Sequence, residues 1–125
     1  MSHFSTIKTK IKHKPQLIEA LELLQYNVEV DVELENPYDH QHKKWNVDIA
    51  INNDIGFRLN KEGVYELVAD LQTWKQSISP ERFLQKVTQS YAKVVVVDTV
   101  QKQGFTVVTE SKSVDNTIEI VAEKW

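Results

Sequence analysis

The chain has 125 residues, 15 Lys+Arg against 18 Asp+Glu for a formal net charge of −3, and no Cys. A single domain of this size buries about two-thirds of its unfolded surface in one core. The charge balance excludes a strong basic field for nucleic acid or anionic membrane, and the missing Cys excludes disulfides, thiolate nucleophiles and Cys-held zinc or iron–sulfur centres.

No apolar run approaches the roughly 20 residues of a membrane-spanning helix. The start of the chain, Met1 to Thr6, lacks the basic-then-apolar pattern of a secretory signal. The expected setting is cytoplasmic, with no membrane.

Residues 3–11 alternate, with Ile7 and Ile11 on one side and Thr6, Lys8 and Lys10 on the other, as in a half-buried strand. Pro15 suits the first turn of a helix, where its missing N–H costs nothing. Leu17, Leu21 and Leu24 then place an apolar stripe along a helix of about 10 residues. Val28, Val30 and Val32 alternate with Glu29, Asp31 and Glu33, a strand with an acidic solvent face. The stretch 35–44 carries no apolar period and opens on Asn36-Pro37, so it reads as a loop.

Trp45, Val47, Ile49 and Ile51 alternate with Asn46, Asp48 and Ala50, which puts Trp45 on the core phase of the next strand. A turn at Asn52-Asn53-Asp54 leads to Ile55–Asn60. A hairpin at Lys61-Glu62-Gly63, whose glycine can take a positive φ, leads to Val64–Asp70. Ser79-Pro80-Glu81 opens a second helix with a cap, a first-turn proline and an acid at the positive end of the dipole. Val94–Val97 would read as a strand in isolation. Phe83 to Gln103 nevertheless keeps one helical period with no turn signal, so the helix is expected to run on to a left-handed terminator at Gly104. Phe105–Lys112 and Thr117–Trp125 form a closing hairpin.

The order is β-α-β-β-β-β-α-β-β in a single domain, 1–125. This is an α+β fold: one twisted, mainly antiparallel sheet of six or seven strands with both helices packed on one face and the other face uncovered.

The chemistry-bearing residues are few. Asp39, His40 and His42 are the one set of metal-ligand types close together, and two His at i and i+2 can reach one ion if the loop bends. No third ligand stands at a recognised spacing, so a polar surface loop is the plainer reading. Asp54, Asp70, Asp98 and Glu110 are scattered carboxylates; for Asp98 a solvent-edge position with Lys102 at i+4 is expected. No nucleophile elbow surrounds any serine, and the glycines form neither a phosphate loop nor a dinucleotide fingerprint. Lys8, Lys10 and Lys12 offer a weak RNA-binding strand face, against which the acidic balance argues. No cofactor is expected. Trp74 lies in the polar connection Gln72-Thr73-Trp74-Lys75-Gln76, either as a lid folded onto the sheet edge or as an anchor offered to a partner.

The segments Ser2–Thr9, Tyr65–Trp74, Arg82–Ala92, Lys102–Phe105 and the terminal Trp125 together resemble the Ycf-thirty-five family of red-algal plastid genomes and cyanobacteria, over nearly the whole chain. Asp70-Leu71-Gln72-Thr73-Trp74 is similar to the plastid and cyanobacterial branch in particular. The resemblance implies a cytoplasmic or stromal protein of an oxygenic phototroph or its phage, and it carries no catalytic residue to this chain. It also implies an accessory role beside an AAA-type ATPase. The chain departs from the family pattern at Lys93–Val97, where a more polar helix is expected.

The expected function is therefore a non-enzymatic accessory or adaptor protein that binds another protein through the 71–79 connection and the C-terminal strand, with Trp74, Lys75, Tyr91 and Trp125 as the binding residues. The alternatives are a small-ligand or metal-binding protein, hydrolytic or not, using the 35–44 loop, and a weak RNA binder. Exposed sheet edges allow self-association as a homo-oligomer.

Overall fold

The computed structural model describes residues 3–36, 44–52, 54–112 and 118–124, with side chains as far as residue 104. The elements are β1 (Ser5–Lys8), α1 (Lys14–Leu23), β2 (Val28–Glu35), β3 (Lys44–Ile51), β4 (Ile55–Leu59), β5 (Tyr65–Ala69), α2 (Pro80–Lys102), β6 (Phe105–Lys112) and β7 (Ile118–Lys124). This is the expected α+β order. The strands divide, however, between an antiparallel five-stranded sheet, β1-β5-β4-β3-β2, and a separate β6–β7 ribbon. A single sheet of six or seven strands does not form: the ribbon follows α2 directly and packs beside it.

Local chemistry sets the element ends. β1 stops at Lys8 because Thr9 N donates to Tyr65 O (3.1 Å) while Tyr65 N donates to Ile11 O (2.8 Å), which leaves Lys10 as an extra residue bulged out of the ladder. Arg82 N donates to Ser79 Oγ (3.2 Å) at the start of α2, Pro80 occupies the first turn, and Gly104 at φ +86° follows the helix. α2 runs as one 23-residue helix straight through Val94–Val97. Val94 is buried there, whereas Val96 is exposed. The expected period thus overrides the β-branched propensity, as tertiary burial routinely does.

The two helices lie together over one sheet face. Ser90 Oγ donates to Ala20 O (2.9 Å) and Gln16 Nε2 donates to Asp98 Oδ2 (3.3 Å). Beneath them Leu17, Leu21, Phe83 and Val87 close on Ile49, Ile51, Ile55, Phe57 and Leu67. Phe83 is the hub, with Tyr26 and Trp74 meeting its ring edge-on (5.7 and 5.5 Å between centroids) and Phe57 stacked at 6.4 Å.

The face away from the helices is not left open. β2 and β3 each change sides at one rung. Val28, Ile49 and Ile51 pack on the helix side, but Val32, Leu34, Trp45 and Val47 join a second cluster with Ala50 and Val68. The change falls where Asp31 takes φ +53° and the Asp31/Asp48 rung is missing from an otherwise constant register. Asp is one of the few non-glycine residues that tolerates this left-handed conformation. Asp48 instead accepts a hydrogen bond from Leu59 N (2.7 Å). β3 pairs with β4 only through Ile49, Ala50 and Ile51. The outer half of the β2–β3 hairpin, Val32–Asn36 and Lys44–Val47, therefore keeps its own β2–β3 pairing but leaves the ladder to β4, and lies across the second face as a strap. This corrects both the uncovered face and the unbroken alternation expected of β3.

Gly56 makes the close approach fit, since a Cβ there would sit 2.7 Å from Leu34 Cδ1 and 2.8 Å from Val47 Cγ1. At the strap's far side Trp45 meets Phe4 edge-on (5.6 Å), and the Arg58 guanidinium stands 4.7 Å over the Trp45 ring. Trp45 is half-buried on this face and does not enter the main core.

Candidate functional site

Between β5 and α2 the chain runs from Asp70 to Ser79 with neither helix nor strand. Side chains bonded to backbone shape it at three points. Asp70, which is buried, accepts from Gln72 N at Oδ1 (2.9 Å), the turn pattern Asp favours. Trp74 Nε1 donates to Ile78 O (2.7 Å). Ser79 then caps α2.

Trp74 therefore takes the lid arrangement: its ring lies half-buried on Phe83 and its N–H is spent within the connection. The outer side of the connection presents Leu71 (40% exposed), Gln72 and Lys75.

Asp70 is also joined from across the sheet. Its Oδ2 accepts from Asn36 Nδ2 at 2.7 Å, and both residues are buried. Asn36 ends the strap, so one carboxylate ties the strap to the connection. Residue spacing shows nothing of this pair, which is 34 positions apart. The local signs were an Asn just before Pro37 and an acid closing an apolar strand.

Asp54, in the β3–β4 turn one residue outside the Ile55–Ala69 rung, lies at the same end of the sheet as Asp70. Burial pushes its carboxyl above the ordinary value, while its own backbone N–H and the Lys75 ammonium pull it back. Among the described residues its Oδ1 has no hydrogen-bond partner, although it is buried.

Tyr91 is placed elsewhere. Its hydroxyl accepts from the backbone N–H groups of Lys12 (3.3 Å) and His13 (3.2 Å) just before α1. The structure does not bring it to the 71–79 connection. The nearby Tyr65 hydroxyl is held above its usual range by burial first, then by Asp48, Asp31 and Tyr91. Asp98 sits at the solvent edge as expected. Lys102 Nζ stands 3.1 Å from its carboxyl, and hydrogen bonds from Lys102 and Gln16 hold that carboxyl below the ordinary value.

On β1 the Lys8 ammonium pairs with Glu62. Asp39, His40, His42 and Trp125 lie outside the described residues. Among the described residues no group of three or more His, Asp and Glu gathers around one point, and no helix is long and apolar enough to cross a membrane.

Fold and site together define an α+β domain whose most organised irregular segment is a loop pinned between strap and helix. The chain belongs to the family described as protein of unknown function DUF1257, whose model matches residues 8–121. It is similar to plastid-encoded proteins named uncharacterized protein ycf35. Identity is 39% over 128 residues with the one from Guillardia theta, 36% over 130 with that of Pyropia yezoensis and 34% over 129 with that of Cyanophora paradoxa. Each alignment covers 100% of this chain and 98% of the relative. No solved structure matches.

Proposed function

We propose that the protein is a non-enzymatic accessory or adaptor protein that binds another protein through the outer side of the Asp70–Ser79 connection. One observation carries the reading: an irregular segment is braced from inside, by Asp70 and Trp74, while Leu71 and Lys75 are exposed. A rigid loop on a packed scaffold loses little conformational entropy when a partner docks. An exposed leucine beside a lysine suits a protein surface with an apolar spot and an acidic neighbour.

Lys75 and Leu71 take the contact role in this reading, and Trp74 acts beneath them. Trp125 stays in the proposed set on its sequence alone. The AAA-type ATPase implied by the resemblance is the first partner to test.

Amine-reactive cross-linking in extract of the host organism tests the reading. The expected result is one recurrent partner protein linked through Lys75. Cross-links spread evenly over all exposed lysines, with none enriched at Lys75, would overturn it.

A further inference from the structure

From the position of Asp70 we infer that the strap regulates the proposed binding loop, because the closed strap and the ordered loop share a single carboxylate. The inference rests on the proposed role of the Asp70–Ser79 connection and assigns Asp70 as its positioning residue.

The strap has the features of a segment that opens on its own. It leaves the β4 ladder after Ile49, so Lys44–Val47 have no rungs to β4. It turns at a rung that is not made, with Asp31 in a left-handed conformation. It covers a satellite cluster, Leu34, Val47, Ala50 and Val68, separate from the main core under the helices. Local opening runs in contiguous units that often coincide with a supersecondary motif, as this hairpin is.

At the end of the strap the Asn36 amide donates to Asp70 Oδ2, while Oδ1 of the same carboxylate accepts from Gln72 N. Closing the strap brings a donor that fixes the carboxylate plane and keeps water from it. The other oxygen is then held toward the Gln72 amide. Opening the strap hydrates Asp70, frees its rotamer and weakens the turn that starts the loop. Coupling of this kind needs only one group whose two bonds favour the same arrangement. By reciprocity, a partner that grips the ordered loop holds the strap closed.

Amide exchange read residue by residue by NMR on the full chain tests the coupling. Asn36→Ala is expected to speed exchange roughly tenfold or more in Val32–Glu35 and Lys44–Val47, and to speed the Gln72 amide with them. Ile49–Ile51 and Leu67–Ala69 should stay as protected as before. The exchanged pair Asn36→Asp with Asp70→Asn rebuilds the bond in reverse and should restore protection at both places.

Phe4→Ala loosens the strap at its other contact without touching either polar group, and it serves equally if Asn36→Ala does not fold. It too must speed Gln72. A strap that opens in either variant while Gln72 exchanges as in the parent would overturn the inference. No partner enters this measurement, so its failure leaves the proposed function standing. A failed cross-linking experiment likewise leaves the coupling standing.

Discussion

Phe4 and Trp45 meet edge to face at 5.6 Å although β5 and β4 lie between their strands in the sheet. That contact requires the outer part of β3 to cross over its neighbours. Leu34 and Val47 pressing on Gly56 record the same crossing from the other end.

Gly56→Ala should therefore be costly although glycine is a poor strand former. The new methyl meets the stiff Val47 side chain as well as the mobile tip of Leu34. Urea unfolding is expected to show a loss of about 1–3 kcal/mol, with Gly56→Val losing more.

Trp74 separates two contributions. Trp74→Phe keeps an aromatic ring available to Phe83 but removes the bond to Ile78 O, and should cost about 1 kcal/mol. Trp74→Ala removes the ring as well and should cost about 3 kcal/mol. Equal losses from the two would mean that the hydrogen bond alone shapes the connection.

Asp54 sets a pH dependence. Its folded-state value lies above the ordinary 3.8 because burial disfavours the charge. Between those two values the folded chain binds more protons than the unfolded one, so stability falls as pH rises through the window. At neutral pH the ionised carboxylate is a net cost. Asp54→Asn is expected to raise the Tm at pH 7, with the gain shrinking toward pH 4; calorimetry across that range checks the sign.

Ser79→Ala removes the α2 cap and should cost about 1 kcal/mol, read as earlier thermal unfolding. Val96 is exposed on the same helix. Val96→Lys should leave stability unchanged or raise it by a few tenths of a kcal/mol, since valine is the poorer helix former.

What could be read from the sequence was local. Ser79-Pro80-Glu81 marked a helix start because its cap bond spans only three residues, and Gly63 marked a turn because its φ of +83° favours glycine. The period of Phe83, Val87 and Val94 outweighed the valine run because a helical stripe is written in one segment. What could not be read was long-range. The valines of β2 alternate without interruption through Asp31, so nothing in their spacing shows that the strand changes faces there. The division of the strands into two sheets depends on which edges meet, and composition does not record that. The irregular connection between β5 and α2 was legible as a polar break in the apolar period. The inward turn of Trp74, the remote place of Tyr91 and the Asn36–Asp70 bond follow from packing between elements far apart in the chain.

The most direct test of the central claim is quantitative recovery of partners with the tagged full chain expressed in its host, comparing the parent with Leu71→Asp combined with Lys75→Glu. Both positions are exposed, so the doubly substituted chain should fold, with a Tm lowered modestly because Lys75→Glu replaces the ammonium that favours the Asp54 carboxylate. The account predicts that it loses at least roughly nine-tenths of the recovered partner, about 1.4 kcal/mol of binding. Full recovery by a folded double variant would contradict it.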